Sequence, residues 1–312
     1  MLTYIIRRLL ILVVVVLAVT VIAFSMIHMV PGNPARIMAG INASSEDIEL
    51  MSKKLGLHRP LYVQYFDYMS GLVRGDFGTS IRTGRPVAHQ LFTRYPATFE
   101  LAVVGMFIAM SIAVIGGVVA ATHHNTLIDN LTMAGALFGV SMPSFWRGLM
   151  LMFLFSLLLG WLPVSGRGTP FTLEWIKHII LPAVTLGIGS AAYLVRLIRS
   201  SMLEILNEEY IKTARSKGLK ERYVIYRHAL KNAFIPIVTM AGMQFGYLLG
   251  GTVVIETVFA WPGVGRLIIN SVFARDFPTV QGAILMLALS FALVNLLVDL
   301  TYAFLDPRIR YS

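Results

Sequence analysis

The chain has 312 residues, of which 56% are hydrophobic and only 13% charged, with a formal net charge of +10 and a mean hydropathy of +0.72. Soluble domains carry about 25% charged residues, so this balance excludes an ordinary water-soluble enzyme and requires several bilayer-crossing segments. The absence of cysteine excludes thiol catalysis, disulfides and Cys-ligated metal centres, and the excess of Lys and Arg marks cytoplasmic loops in preference to a nucleic-acid surface.

Arg7-Arg8 precedes an apolar run of 22 residues from Leu9 to Val30. At 1.5 Å per residue that run is about 33 Å long, against roughly 7–15 residues for a signal-peptide core, and no small-x-small cleavage site follows. It reads as a retained first span whose N-terminus is cytoplasmic. The next segment, 31–97, reads as a small outer cap. Ser44-x-x-Asp47 is a capping-box pattern, Ile48, Met51 and Leu55 share one helical face, Gly56 stops the helix, and a second short helix is expected over 61–73.

Windows free of charge predict further spans near 98–122, 131–156, 179–198, 232–257 and 279–304. The stretch 131–156 joins two such windows separated only by Arg147, which leaves no room for a loop, and Ser141-Met142-Pro143-Ser144 just before it is a helix break, so 131–162 is read as one span with a bent continuation. Charge parity supports that reading. Arg196, Arg199, Lys212, Arg215, Lys217, Lys220, Arg222, Arg227 and Lys231 fall in one stretch at and after the end of the 179–198 span, which must lie on the same side as Arg7 and Arg8. The expected architecture is all-α, with six transmembrane helices and both termini cytoplasmic: a first span in 1–30, the outer segment 31–97, and a five-helix core in 98–312 whose cytoplasmic loop occupies 199–231.

Within that loop, Glu208 and Glu209 start a helical piece, bases end it, Gly218 supplies a stop, and a second helix begins near Lys220. Tyr210, Ala214 and Gly218, with Ile211 and Leu219, give this hairpin a small and apolar face suited to docking in a protein groove. Composition alone leaves open a solvated basic loop drawn to anionic lipid.

The segment resembles the EAA loop in the membrane subunits of binding-protein-dependent ABC importers, in which Glu-Ala-Ala, three residues, Gly, nine residues and Ile-x-Leu-Pro follow in order. Here Lys212-Thr213-Ala214 holds the first place and Gly218 the glycine, and His228-Ala229-Leu230-Lys231 follows nine residues later. The first position, the Ile and the Pro depart from the general pattern. They resemble instead the dipeptide, oligopeptide and nickel branch, whose Tyr-x-x-Thr-Ala-Arg-x-x-Gly and Arg-His-x-Leu-x-Asn-Ala are matched by Tyr210, Thr213, Ala214, Arg215, Gly218, Arg227, His228, Leu230, Asn232 and Ala233. Short matches run along nearly the whole chain, among them Pro31-Gly32-Asn33-Pro34, Asp76-Phe77-Gly78-Thr79-Ser80, Pro96-Ala97-Thr98, Glu256 to Arg266, Arg275-Asp276-Phe277-Pro278 and Asp306-Pro307-Arg308.

The resemblance implies a type I ABC importer permease of the inner membrane. Its partners would be a homologous second permease, two ATP-binding subunits that hold ATP and Mg, and an extracytoplasmic solute-binding protein. Glu209, Tyr210, Thr213, Ala214, Arg215, Gly218 and Leu219 would form the ATPase coupling loop. The implied solute is a dipeptide, oligopeptide or peptide-like compound such as glutathione, with a nickel chelate as the alternative. No catalytic or cofactor site is expected in this chain.

Other residues admit two readings each. Gly242-x-x-x-Gly246-x-x-x-Gly250 is a ridge for close helix approach, within the chain or against a partner. Gln244 and Tyr247 form a polar stripe, and with Ser141, Tyr193 and Asp299 they are candidates for a translocation path or for ordinary interhelical bonds. Arg147 and Asp299 are charges in or near spans, where the default reading is functional, though Asp299, near the inner end, could simply cap or snorkel. Trp261-Pro262-Gly263 is, by the resemblance, an outward loop that contacts the binding protein or closes the pathway, or else a structural turn. His123-His124 has no third ligand beside it and reads as solvated. A self-contained ion-coupled carrier would need inverted repeats and acids near mid-membrane. Neither is evident, and Gly-x-x-x-x-Gly-Lys-Ser/Thr, His-Glu-x-x-His and Gly-x-Ser-x-Gly are absent from the sequence.

Overall fold

The computed structural model describes residues 2–29, 35–36, 44–54 and 56–305. Pro31-Gly32-Asn33-Pro34, Leu55, Asp306-Pro307-Arg308 and the side chain of Met51 lie outside the described residues. Helices come in the order α1 (Leu2–Met29), α2 (Ser45–Lys54), α3 (Leu61–Val73), α4 (Val87–Thr122), α5 (Leu127–Ser141), α6 (Ser144–Met152), α7 (Leu173–Leu206), α8 (Glu209–Ser216), α9 (Glu221–Tyr223), α10 (Leu230–Val258), α11 (Val264–Phe273) and α12 (Phe277–Leu305). A π-helical turn, Phe153–Leu158, extends α6, and another, Val224–Ala229, joins α9 to α10. Among the described residues there is no strand beyond one isolated bridge, Thr79 to Pro86.

Among the described residues five helices are long and apolar enough to cross a bilayer, and the pair α5 and α6, bent by 103° at its break, makes a sixth when counted as one broken span. The break lies where Pro143 was expected to place it: α5 stops at Ser141 and Pro143 caps the start of α6. The helices outrun the charge-free windows, however. α4 begins at Val87, well before residue 98, and α7 runs from Leu173 to Leu206 where 179–198 was expected. Pro96 and Pro182 sit inside these helices and do not end them. Each removes one backbone bond, a loss that dense tertiary packing outweighs. The capping box is present, with Ser44 Oγ accepting from Asp47 N at 3.1 Å and Asp47 Oδ2 accepting from Ser44 N at 3.0 Å.

α7 is the central helix. It lies along α4 at a separation set by missing side chains, since a Cβ on Gly117 would stand 2.6 Å from Ile198 and one on Gly187 2.9 Å from the Gly105 carbonyl. α10 and α12 pack beside this pair, and α1 lies on α12 with much of its surface, including Val13, Val14 and Ile22, exposed for lipid. The ridge on α10 faces inward: Gly242 is filled from outside by Val298 and Gly246 by Phe291, both on α12, while Gly250 meets nothing. Two sequence motifs meet at one end of the bundle, where Asp276 Oδ2 accepts from Ser80 Oγ at 2.5 Å and from Thr279 Oγ1 at 2.7 Å, and Asp276 Oδ1 accepts from Ile81 N at 3.0 Å.

Candidate functional site

Most of the candidate residues fall in three places. The first is the hairpin between α7 and α10. Glu208 caps α8, whose last turn closes on Gly218 at φ +74. Gly218 N donates to Arg215 O at 2.9 Å and Leu219 N to Ala214 O at 3.4 Å, the bond pair of a Schellman stop, in which a left-handed residue carries the chain out of the helix. Arg215 then reaches across the turn, with Nε 3.2 Å and Nη2 2.7 Å from the Glu221 carboxylate. This holds the Glu221 carboxyl below its ordinary value of 4.5. Asn232 Nδ2 donates to Tyr210 OH at 2.7 Å, tying α8 to the base of α10.

The apolar face of α8 is not the outward one. Ile211 and Ala214 are buried in a cluster with Val118, Ala121, Ile198, Met202, Val224 and Ala229, so they join α8 to the chain's own core. The expectation of an outward docking face that includes them is corrected: with apolar core within reach, their burial is the lower-energy use. What remains exposed is Glu209, Tyr210, Thr213, Arg215, Gly218 and Leu219. Beside the cluster, Arg199 grips the buried Asp129 side-on at 2.6 and 2.7 Å, and His124 Nδ1 lies 3.3 Å from the same carboxylate. His124 thus sits beside the Arg199–Asp129 ion pair that joins α5 to α7. Among the described residues no group of three or more His, Asp or Glu could hold a metal.

The second place is a notch of about 300 Å³ at the α5–α6 break. Three of the five path candidates, Tyr193, Gln244 and Tyr247, line it, and so do Arg147, Ser190 and Gly251. The other two are elsewhere. Ser141 bonds back to Leu137 O at 2.9 Å and does not line the notch, as serines within helices commonly do. Asp299 pairs with Arg8 at 2.8 Å in a separate groove between α1, α10 and α12.

The third place is the turn after α10. Trp261 is fully buried, with Nε1 donating to Ala97 O at 2.8 Å. Glu256, also fully buried, accepts from Thr98 Oγ1 at 2.7 Å and from Arg266 N at 2.9 Å, and Thr98 Oγ1 accepts from Val264 N at 2.8 Å. A Cβ on Gly263 would overlap the Glu256 carboxylate. Trp261 and Gly263 therefore present no surface to another protein, and Pro262 is half-buried. The contact reading of this loop gives way to the structural turn, because Glu256 and the indole N–H have buried partners that only this conformation reaches. Glu256 and Thr98 were not singled out from sequence. The available signal was a lone acid at the end of an otherwise uncharged window, shortly before two glycines.

This arrangement, a bent six-span bundle with a helix–Gly–helix hairpin tied to its core, agrees with comparisons to known proteins. The family model described as "Binding-protein-dependent transport system inner membrane component" matches residues 112–311, and that of the corresponding N-terminal part matches residues 1–102. The chain belongs to this permease family. It is 45% identical to the glutathione transport system permease protein GsiC of Escherichia coli strain K12 and 44% identical to the dipeptide transport system permease protein DppB of Alkalihalophilus pseudofirmus, with both chains covered in full in each case. A solved structure of the MetNI methionine ABC transporter in an inward-facing form superposes with a TM-score of 0.59 at 16% identity, over 70% of this permease and 96% of that chain. That likeness shows the shared type I importer fold. The permease is thus a multi-pass inner-membrane component of an ABC importer.

Proposed function

We propose that this permease carries a dipeptide, an oligopeptide or glutathione into the cytoplasm in an importer driven by ATP, which two partner ATPase subunits hydrolyse. It pairs with a homologous second permease around a shared path, and an extracytoplasmic binding protein delivers the solute. Full-length likeness to both a dipeptide and a glutathione permease supports the solute class. The observation that carries the coupling role is the double construction of the hairpin: Ile211 and Ala214 rooted in the core of α4, α7 and α10, with Tyr210, Thr213 and Leu219 left exposed. Movement of a partner seated on the exposed face would pass to the spans through the buried one. The Lys and Arg of this region, with Arg7 and Arg8, favour cytoplasmic termini.

The test is reconstitution. With both permeases, the ATPase and the binding protein in liposomes, uptake should require ATP on the hairpin side and loaded binding protein on the other. Accumulation driven by a proton or sodium gradient through this chain alone would overturn the reading.

A further inference from the structure

Arg147 leaves α6 just past the break and lies against α7, where a Cβ on Gly189 would stand 2.9 Å from Nη2, so a side chain there would have to push the guanidinium aside. The side chain is about nine-tenths buried, at 9% exposure. Nη1 donates to the carbonyls of Gly139 and Met142, and Nη2 to Thr185 O at 3.1 Å. The first two carbonyls belong to the end of α5, which the break leaves without intrahelical partners, and a cation suits that end of the helix dipole. This accounts for three of the five N–H groups. Nε has no partner, and among the described residues no carboxylate forms an ion pair with Arg147.

Other arginines of this permease are satisfied differently. Arg167, Arg199 and Arg215 each hold a carboxylate side-on through Nε and Nη2. In Arg147 the Nη2 of that edge donates to a carbonyl, and the buried Nε has no partner among the described residues. A buried charge balanced only by carbonyl dipoles attracts an anion far more strongly than a solvated one does. Arg147 moreover lines the notch beside Tyr193, Gln244 and Tyr247, no acidic residue lines that notch, and Arg196 stacks over the Tyr193 ring at 5.2 Å, adding a second cation nearby.

We propose that Arg147 is an anion-binding residue in the notch and holds the carboxylate of the passing solute, with the Tyr193, Gln244 and Tyr247 polar groups around it. That the anion is a peptide carboxylate rests on the solute class proposed above; the anion site itself does not.

The chain has no cysteine, so a single Tyr247→Cys in the complete importer, with cysteine-free partners in nanodiscs, reports the potential in the notch. The probes are an anionic sulfonatoethyl and a cationic trimethylammonioethyl methanethiosulfonate. The ratio of anionic to cationic modification rates should be about tenfold higher with Arg147 than with Arg147→Met, and Arg147→Lys should keep most of it. An equal ratio in the Arg147 and Met backgrounds overturns the site. Should Arg147→Met fail to assemble, Gly189→Ala, which displaces the guanidinium and keeps the charge, should lower the ratio at least threefold, and no change there also overturns it. Alanyl-alanine, and not its C-terminal amide, should slow modification of the Arg147 form. No protection alongside an intact charge ratio would uphold the anion site and overturn the peptide-class reading of its occupant.

Discussion

One helical stretch, from Glu221 to Val258, carries a glutamate at each end, and the two are treated in opposite ways. Glu256 has no exposed surface and gathers Thr98 and the backbone of Arg266 around its carboxylate, so that α4, α10 and α11 share a single buried polar knot with Trp261 alongside. Glu221 stands half in solvent and holds one partner, Arg215, across the Gly218 turn. Buried polar groups left without partners are costly, so the Trp261 end has one low-energy arrangement. The Gly218 end is held by apolar packing beneath and by screened charge above, which leaves its outer face available. On the coupling role proposed above, a transporter that must hold its bundle together and still yield at the hairpin needs both kinds of end.

Breaking the knot should have the largest effect. Glu256→Ala removes the acceptor from the Thr98 hydroxyl and the Arg266 N–H and leaves a cavity under Gly263, at about 4 kcal/mol. The expected result is a large loss of folded, monodisperse protein on heating, with normal uptake per surviving importer. Ile211→Ala should come next, at about 3 kcal/mol, because Ile211 is fully buried in the core cluster under α8. Its signature should be different: most of the bundle persists, while ATP hydrolysis continues with little solute uptake. Equal loss of uptake per folded importer in both variants would erase the distinction between the two ends.

Much of this division was legible in the sequence, for local reasons. Pro143 fixed the break, Ser44 and Asp47 the cap, and Gly218 the turn, because each acts through its own backbone. Helix ends were misjudged where hydropathy was the guide. Windows stop at the first charge, whereas α4 carries Arg94 and α7 carries Arg196 and Arg199 within unbroken helix. The roles of Glu256 and Arg147 were hidden for a further reason: their partners lie on other helices, Thr98 at 158 residues' separation and Thr185 at 38. Spacing along one chain segment cannot show which face of a neighbouring helix will meet it. The same limit placed Ile211 and Ala214 on a docking face when they are core.

Gly218 tests the hinge of the Gly218 end directly. Its φ of +74 lies in the left-handed region, and a Cβ there would meet nothing within 4 Å, so the cost of replacement is backbone strain alone. Gly218→Val should cost about 1–2 kcal/mol locally and misdirect Leu219 and the exposed face. Insertion should be normal and ATP-driven uptake lost. Wild-type uptake by this variant would remove the hairpin from the coupling path.

The smallest effect belongs to the Arg215–Glu221 clamp, and it separates the ends by their response to acid. The Arg215 hydrogen bonds hold the Glu221 carboxyl below 4.5. A depressed carboxylate contributes stability above its unfolded value and loses it as pH falls through the folded value, so the clamp is fully present at neutral pH and disappears only below 4.5. Both side chains are about half exposed, at 42% and 53%, and solvent screening limits the contribution to about 0.5 kcal/mol. Carbon-detected titration of labelled glutamate in nanodiscs should place the Glu221 midpoint below 4.5, and Arg215→Gln should return it to that value. High salt should shift it the same way, since an exposed pair is screened. A midpoint indifferent to both would mean that Gly218 and the buried face of α8 hold the hairpin without the clamp.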